Sequence, residues 1–448
     1  MLSQSTGDCR LVTGDYNSVD RMRVAWFSPL PPAATGVAGY SADVLPMLEA
    51  AGLDIDRYEE INAHDFVWRR RLAPYDLAVY QLGNSQWHDY MWAYLFQYPG
   101  LIVLHDPRLH HARAAQLFRA RRLDDYRREF AYNHPHVSPA AAEYAVEGLR
   151  GAAFYYWPMV RSVVASARLV AVHNEFVAAE LRDAHPSARI DRIHLGVPAT
   201  ASRPDAPARV RRRHDIPPDS LVFVTFGLVT TEKRVEPILR AFGALGTRSS
   251  RGAAAHLLLV GANGLPNLDA LIEEHRLTDR VHVTGYVPDE SIADYLTAAD
   301  ISLSLRWPTA EETSRTWAES LSASKPTIIT SLPHTAAVPS LDATTWRPTS
   351  RTQEPVAVSV DLLDEDAGLL AAMSRLADDD GLRERLGKAG HEYWKREHQM
   401  SLMADDYLRL IKTAASVPEP DVRSLPAHVT DDYSTLVASI AGEIGVEL

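Results

Sequence analysis

Cysteine is almost absent from this chain: Cys9 is the single cysteine among 448 residues. One cysteine excludes an intrachain disulfide and a cysteine-rich zinc site, and its polar surroundings argue against a catalytic thiol. Long apolar runs are missing as well, since no stretch approaches the roughly 18 consecutive apolar residues of a membrane-spanning helix. The start of the chain also lacks the basic and apolar regions of a secretory signal. The sequence therefore predicts a cytoplasmic protein without a transmembrane segment.

Basic residues are fewer than acidic ones: the chain has 46 Lys and Arg and 58 Asp and Glu, which gives a formal net charge of −12. This acidic balance argues against nucleic acid as the main partner. Apolar residues make up 46% of the chain, and its length exceeds what one hydrophobic core normally organises. Two domains of about 200 residues each are therefore expected.

Short apolar runs alternate with amphipathic stretches along most of the chain. This alternation is typical of βαβ units around parallel sheets. The predicted fold class is therefore α/β, with two Rossmann-like, doubly wound domains. The predicted strands are residues 23–28, 76–82, 101–105 and 168–173 in the first half, and 221–227, 255–261, 280–285, 300–305 and 325–330 in the second.

Composition suggests where these domains begin and end. A polar leader is assigned to residues 1–21, the first domain to 22–200 and the second to 201–400. A helix over residues 401–415 is expected to cross back to the first domain, and residues 416–448 form a weakly patterned tail. Ligands of open α/β sheets bind beyond the carboxyl ends of the strands, so residues at those ends are the candidates for function.

Two carboxylates, Glu311 and Glu319, lie seven residues apart at a strand-to-helix junction within residues 307–330. A helix beginning near Thr313 offers free backbone N–H groups and a positive dipole end to a diphosphate. A carboxylate further along this helix suits the diol of a ribose.

Glu312 leaves two interpretations of this junction open. Helical spacing predicts that Glu312 and Glu319 lie about 20° apart on one helix face. The second interpretation is structural: Thr309 and Glu312 fit a capping box, and Glu319 is then an ordinary exposed helix residue.

A glycine followed by two cations occurs where the first predicted strand of the second domain ends. Gly227 permits close approach of the backbone, and Lys233 at the entrance of the next helix supplies a compact cation for a phosphate. The alternative is that Lys233 and Arg234 simply form a solvated start of the helix.

The first domain contributes three groups of residues at strand ends. Gly36 and Gly39 lie in a loop between a strand and a helix, where backbone amides can approach an anion, although so short a glycine pattern is weak alone. Two polar clusters follow the next strands, and their members are Asn84, His88, His105 and Asp106. These clusters lack the spacing of metal ligands on one face, so no metal site is predicted. Asp106 could alternatively cap the following helix.

Several of these motifs occur in the order found in retaining family 4 glycosyltransferases, which the sequence resembles over residues 22–412. The resemblance implies the GT-B fold, in which two Rossmann-like domains face a central cleft. It also implies that Glu319 binds the donor ribose and that Glu311 lies near the donor sugar. The backbone around Glu312, Thr313 and Ser314 would contact the sugar and phosphates. Some relatives carry Gly-Glu-Thr-Ser here, which would give Glu312 the leading role, so the choice between Glu311 and Glu312 stays open.

Other positions match the family less completely. Its phosphate-binding Arg is Leu228 here, whereas its Lys is matched by Lys233, and Arg234 is a candidate replacement for the missing charge. Gly227 falls in the segment that faces the diphosphate in this family, and Tyr286 falls in the segment that faces the nucleobase. In the first domain the resemblance places the Gly36 and Gly39 loop at the donor phosphate, His105 near the donor sugar, and Asn84, His88 and Asp106 beside the sugar or acceptor.

The predicted function is transfer of a sugar from a nucleotide-diphosphate sugar to an acceptor with retention of configuration. The enzyme is predicted to be a hexosyl-type glycosyltransferase that needs neither a metal ion nor a cofactor. His105, Lys233 and Glu311 are the predicted catalytic residues. The acceptor class is left open among saccharide, lipid-linked and small-molecule acceptors, and peripheral membrane contact is compatible with the sequence. The alternatives are a non-catalytic sugar-nucleotide-binding protein and another GT-B chemistry such as a sugar-nucleotide epimerase. The donor sugar, the base and the oligomeric state are not indicated.

Overall fold

The structure is a computed structural model, and it describes residues 21–443 apart from 150, 152, 250, 432 and 433. The predicted polar leader with Cys9 therefore lies outside the described residues, apart from its last residue, Arg21. Two parallel sheets organise the chain, one of six strands and one of seven.

The first sheet has the strand order β2-β1-β3-β4-β5-β6, with all neighbours parallel. Its strands are β1 (Arg23–Phe27), β2 (Asp54–Tyr58), β3 (Leu77–Leu82), β4 (Leu101–Leu104), β5 (Leu169–Val172) and β6 (Ile190–Arg192). Its helices are α1 (Gly36–Ala50), α2 (Asp65–Leu72), α3 (Met91–Gln97), α4 (His110–Arg119), α5 (Leu123–Asn133), α6 (Ala141–Val146), α7 (Ala153–Tyr156), α8 (Arg161–Ser166) and α9 (Glu175–Ala184).

The second sheet has the order β12-β13-β11-β10-β7-β8-β9, again with parallel neighbours. Its strands are β7 (Val222–Phe226), β8 (His256–Val260), β9 (Val281–Val283), β10 (Ile301–Ser304), β11 (Thr327–Thr330), β12 (Ser340–Asp342) and β13 (Ala357–Val360). The helices of this half are α10 (Ala206–Arg213), α11 (Val235–Arg248), α12 (Leu268–Glu274), α13 (Asp289–Ala298), α14 (Arg315–Ser322), α15 (Glu365–Asp378) and α16 (Asp380–Glu397).

Each sheet is covered on both faces, which explains why the central strands are nearly continuous apolar runs. In β1, Val24 and Trp26 pack into one core cluster, whereas Ala25 and Phe27 pack into another on the opposite face. The same alternation occurs in β7, where Phe223 and its neighbour Val224 belong to different clusters.

Three helices follow α16, namely α17 (Met400–Ser416), α18 (Ala427–Thr430) and α19 (Ser434–Glu443). Helix α17 packs on the first sheet, because Met403, Tyr407 and Ile411 are buried in the cluster that contains Val24 and Trp26. The chain thus returns from the second sheet to the first, and this return holds the two halves around a common cleft.

Candidate functional site

A cavity of about 290 Å³ lies between the two halves, at the carboxyl ends of their strands. The first half contributes His173 and Asn174, which follow β5. The second half contributes Phe226 at the end of β7 and Arg306 after β10, together with the loop and first turn of α14. Because strand ends of parallel sheets are the usual ligand-binding edge, this cavity is the candidate site.

Lys233 projects into this cavity from a short 3₁₀ turn, Thr231–Lys233, that separates β7 from α11. The helix predicted to start near Lys233 begins two residues later, at Val235. Burial and the neighbouring Arg306 guanidinium lower the pKa of Lys233 to about 7, while the Glu312 carboxylate opposes this shift. Lys233 is thus a cation whose charge is poorly compensated inside the protein.

Gly227 lies directly against this lysine. Its φ of +98° is a conformation that other residues rarely adopt, and a Cβ added there would lie 3.2 Å from Lys233 Nζ. The glycine is therefore required both by its backbone and by the space that Lys233 occupies.

Arg306 is the second cation of the cavity, and the sequence analysis missed it. Its Nη1 lies 2.6 Å from the Glu312 Oε1, and its backbone N–H donates to Thr330 Oγ1 at 2.9 Å. Arg234, the predicted replacement for the missing family arginine, lies elsewhere: its guanidinium donates to both oxygens of Glu365. The structure thus places Arg306, and not Arg234, beside Lys233.

The two adjacent glutamates point in different directions. Glu312 lines the cavity, where it pairs with Arg306 and accepts a hydrogen bond from Thr309 Oγ1 at 3.2 Å. Glu311, with a φ of +63°, pairs instead with Arg108 of the first half, 2.7 Å from Nη2 to Oε2. Of the two residues that the sequence left open, Glu312 is the one in the cavity.

Helix α14 begins two residues later than the sequence predicted. Its N-cap is Ser314, whose Oγ accepts a hydrogen bond from the backbone N–H of Trp317 at 3.3 Å. Glu312 therefore lies outside the helix, so the predicted common face with Glu319 and the predicted capping role are both wrong. Thr313, Ser314 and Trp317 line the cavity, which brings the positive end of the helix to Lys233 and Arg306.

Glu319 lies further along α14 and already has a partner. Its Oε1 accepts a hydrogen bond from Arg315 Nε at 2.9 Å, and Arg315 Nη2 reaches Asp43 of α1 at 2.7 Å. Burial raises the pKa of Glu319, and the Arg315 guanidinium opposes this rise. The predicted ribose-binding carboxylate is thus part of an ion-pair chain between the two halves.

Gly39 lies at the same junction between the halves. A Cβ added to it would overlap the Asp289 carboxylate of α13 and lie 3.7 Å from Arg315 Cζ. Gly36, the first residue of α1, has open space around its Cα instead. Both glycines that the sequence analysis assigned to a loop thus lie in α1, and only Gly39 is closely approached by the second half, through the Asp289 side chain.

His105 is oriented by protein groups on both sides of its ring. Its Nε2 lies 2.9 Å from Gln81 Oε1, which also accepts from Tyr407 Oη at 3.0 Å, and its Nδ1 lies 3.3 Å from His173 Nε2. Burial lowers the pKa of His105 well below its usual range, and His173 adds to this effect. With both ring nitrogens engaged, His105 is better suited to a fixed neutral contact than to proton transfer. Gln81, His173 and Tyr407 were not singled out from the sequence.

The other predicted residues of the first half lie together beside β3 and β4. Asp106 Oδ2 accepts a hydrogen bond from the backbone N–H of Asn84 at 2.8 Å, and Asn84 Oδ1 accepts from the Ala112 N–H at 2.8 Å. Burial raises the pKa of Asp106, and the Glu312 carboxylate across the cleft raises it further. His88 is buried with a pKa lowered to about 4, and its Nδ1 lies 2.8 Å from Gln81 O.

Tyr286 is separate from the cavity. Its side chain is 60% exposed, and it lines a different pocket with Pro288 and Tyr295. Within the described residues no group of three or more His, Cys, Asp or Glu side chains is arranged to hold a metal ion. No helix in the described part of the chain is both long and apolar enough to cross a bilayer.

Comparison with known proteins agrees with this architecture. Residues 208–340 match the family model described as Glycosyl transferases group 1. A curated protein of Rhizobium meliloti, the lipopolysaccharide core biosynthesis glycosyltransferase LpsD, is 30% identical over 214 residues. The aligned segment covers 47% of this chain and 54% of LpsD, so the match spans about half of that relative.

Solved structures extend the similarity to most of the chain. Sucrose-phosphate synthase from Thermosynechococcus elongatus superposes with a TM-score of 0.62 at 17% identity, covering 88% of this chain and 98% of that one. A glycosyltransferase from Rickettsia africae superposes with a TM-score of 0.56 at 14% identity, covering 89% and 99%. The fold is therefore GT-B, which confirms the predicted fold class. The match to glycosyl transferases group 1 also confirms the predicted resemblance to a family of glycosyltransferases.

Proposed function

We propose that this chain is a glycosyltransferase that moves a sugar from a nucleotide-diphosphate sugar to an acceptor with retention of configuration. One observation carries the proposal: Lys233, Arg306 and the N-terminal turn of α14 converge on one cavity at the strand ends. Two cations and a helix N-terminus suit the diphosphate of such a donor. The match of residues 208–340 to glycosyl transferases group 1 covers this same region and supports the proposal.

The proposed chemistry is stabilisation of the departing diphosphate. As the bond between the sugar and the phosphate breaks, negative charge grows on the phosphate oxygen, and fixed cations and amides stabilise that charge. Lys233 is suited to this role because, among the residues that the structure describes, the only carboxylate acting on its ammonium is that of Glu312, which is shared with Arg306. The acceptor hydroxyl attacks from the face of the leaving phosphate, which receives its proton, and the configuration is retained.

Glu312 lines the cavity, and Asp106 of the other half lies near enough for the Glu312 carboxylate to raise its pKa. In this proposal both contact the donor sugar or the acceptor. Glu312 accepts hydrogen bonds from sugar hydroxyls in exchange for part of its pairing with Arg306. Asp106, whose pKa is raised by burial and by Glu312, lies where an acceptor would approach from the first half. No step needs a metal ion, so we also propose full activity in the presence of a chelator.

The first test is a thermal-shift screen against UDP-, GDP-, ADP- and dTDP-sugars. One nucleotide family is expected to stabilise the protein, because a ligand at 100 times its Kd contributes about 2.7 kcal/mol. Lys233→Met and Arg306→Met should abolish the shift. Lys412→Met, on the exposed face of α17, is the matched control and should keep it.

The second test identifies the reaction. Incubation of the stabilising donor with saccharide, lipid-linked and small-molecule acceptors, followed by NMR of the product, reports whether the anomeric configuration is retained. An inverted product would refute retention. Donor binding without transfer or hydrolysis with any acceptor would favour a non-catalytic sugar-nucleotide-binding protein instead.

A further inference from the structure

Three histidines line the cavity among the described residues, and His334 differs from the other two. His173 has a partner 3.3 Å from each of its ring nitrogens, and His398 Nδ1 lies 2.9 Å from a backbone carbonyl oxygen. Neither ring nitrogen of His334 makes a hydrogen bond within the described part of the chain. The protein closes off Nδ1 from solvent but leaves Nε2 accessible, so Nε2 is the atom that can meet a ligand.

Hydrogen bonds hold the loop that carries His334 after β11. His334 is the middle residue of a 3₁₀ turn, Pro333–Thr335. The Thr335 hydroxyl donates to Thr330 O at 2.9 Å, and the Thr330 hydroxyl accepts from the Arg306 N–H at 2.9 Å. The turn is therefore tied to the strand end that carries Arg306, and the imidazole is positioned before any ligand binds.

Three neighbouring strand ends contribute Lys233, Arg306 and His334, in that order. Lys233 follows β7, Arg306 follows β10 and His334 follows β11, and these strands are adjacent in the second sheet. The first two positions form the proposed diphosphate site, so His334 lies beyond that site on the side of β11. A nucleotide-diphosphate sugar has its diphosphate in the middle, and its nucleoside and sugar therefore extend to opposite sides.

The side of the cavity at β11 suits the sugar better than the base. Glu312 lines the same cavity and acts electrostatically on His334, and a carboxylate and an imidazole both form hydrogen bonds with hydroxyl groups. The opposite direction along the sheet, past β8 to β9, leads to Tyr286, whose side chain is 60% exposed. An exposed aromatic ring suits the flat face of a nucleobase.

The protonation state of His334 also favours a hydroxyl group as its partner. Burial lowers the pKa of His334, the Arg306 and Arg108 guanidiniums lower it further, and the Glu312 carboxylate opposes the shift. The imidazole is therefore neutral at neutral pH, with one nitrogen that donates and one that accepts. A hydroxyl group can satisfy either nitrogen, whereas a phosphate would favour a charged ring.

We propose that His334 binds a hydroxyl group of the transferred sugar through Nε2, and that it thereby selects donors that carry a hydroxyl at this position. This inference rests on the proposed function and deepens it, because it divides the cavity into a diphosphate part at Lys233 and Arg306 and a sugar part at His334.

The test separates the sugar from the nucleotide in calorimetric titrations of the full chain at neutral pH. The probes are four pairs: UDP and UDP-glucose, GDP and GDP-mannose, ADP and ADP-glucose, and dTDP and dTDP-glucose. For the pair that binds most tightly, the sugar contribution is the Kd of the diphosphate divided by the Kd of its sugar derivative. His334→Phe keeps a planar ring without nitrogens, so it should lower this ratio about fivefold and leave the Kd of the diphosphate unchanged.

Two further variants distinguish a sugar contact from a structural effect. His334→Gln places an amide near the position of Nε2 and should restore most of the sugar contribution. His64→Phe, at an exposed histidine of the first half, is the matched control and should leave both Kd values unchanged. Donor analogues that each lack one sugar hydroxyl identify the contacted group. One of them should bind about fivefold more weakly than the parent donor to the unmodified protein, and equally to His334→Phe.

The outcomes distinguish this inference from the proposed function. An unchanged ratio in His334→Phe would overturn the inference alone, as would a variant that weakens the diphosphate and its sugar derivative equally. A set of analogues that all bind like the parent donor would also overturn it. If none of the four diphosphates binds to the unmodified protein, the proposed function fails, and this inference fails with it.

Discussion

The pH dependence of nucleotide binding should report directly on Lys233. In the free protein its pKa is lowered to about 7, because the ammonium is buried and lies near Arg306. A diphosphate binds tightly only when Lys233 is protonated. Above pH 7 most Lys233 side chains are neutral, so nucleotide binding must be coupled to the uptake of a proton by this lysine. The phosphates of a nucleotide-diphosphate sugar stay ionised over this range, so the ligand itself does not change charge.

The size of the effect follows from that pKa. About ten in eleven Lys233 side chains are protonated at pH 6, and about one in eleven at pH 8. The apparent Kd of the nucleotide should therefore rise about tenfold between these pH values, which corresponds to about 1.4 kcal/mol. Isothermal titration at pH 6, 7 and 8 measures it.

Two variants separate Lys233 from its neighbours. Lys233→Arg keeps its charge throughout, so its affinity should be nearly constant from pH 6 to pH 8. Asp106→Asn removes a carboxyl group near the cleft whose pKa is raised towards this range, and the tenfold trend should persist in this variant. An affinity of the unmodified protein that does not change between pH 6 and pH 8 would refute the argument.

Three further changes test the packing around the cleft. Glu129→Ala leaves the buried Arg113 guanidinium without its carboxylate and should cost about 3–5 kcal/mol in urea denaturation; a loss below 1 kcal/mol would contradict this. Tyr407→Phe removes the hydrogen bond to Gln81 and should cost about 1–3 kcal/mol in the same assay, with an unchanged midpoint as the contrary result. Gly39→Ala should displace the Asp289 carboxylate from its place between the two halves and weaken nucleotide binding, whereas Gly36→Ala should not.

Most central strands and the edge strand β9 were predictable from the sequence, whereas the other edge strands and the interior strand β13 were not. All nine predicted strands correspond to strands of the two sheets. In the central ones burial on both faces leaves a nearly unbroken apolar run, whereas the edge strand β9 has only Val281 buried. The four strands that the sequence analysis missed are β2, β6, β12 and β13. Three of these lie at sheet edges, where β2 has three charged residues among its five and β6 and β12 are only three residues long. Short or half-exposed strands carry too few apolar residues to stand out.

Some residues of the candidate site could likewise be predicted from the sequence, whereas others could not. Gly227 and Lys233 are close in sequence, and their spacing therefore pointed to a phosphate-binding turn. Arg306 comes from a different strand end, so its position beside Lys233 depends on the order of β7 and β10 in the sheet. Glu311 and Glu312 illustrate a further limit, since a positive φ at Glu311 turns the two side chains to different partners. The spacing of residues in the sequence does not predict the positive φ at Glu311.

Arg315 is the residue whose influence on the site is least visible in the sequence. It pairs with Glu319 and Asp43, and its guanidinium opposes the rise that burial imposes on the pKa of Glu319. Removing it should raise that pKa further, so that a ribose-binding carboxylate would be charged only at higher pH. In the Lys233→Arg background, Arg315→Met should therefore give nucleotide binding that strengthens as the pH rises, opposite in sign to the trend of the unmodified protein. Binding that is weak but independent of pH would show that Arg315 acts only by holding the two halves together.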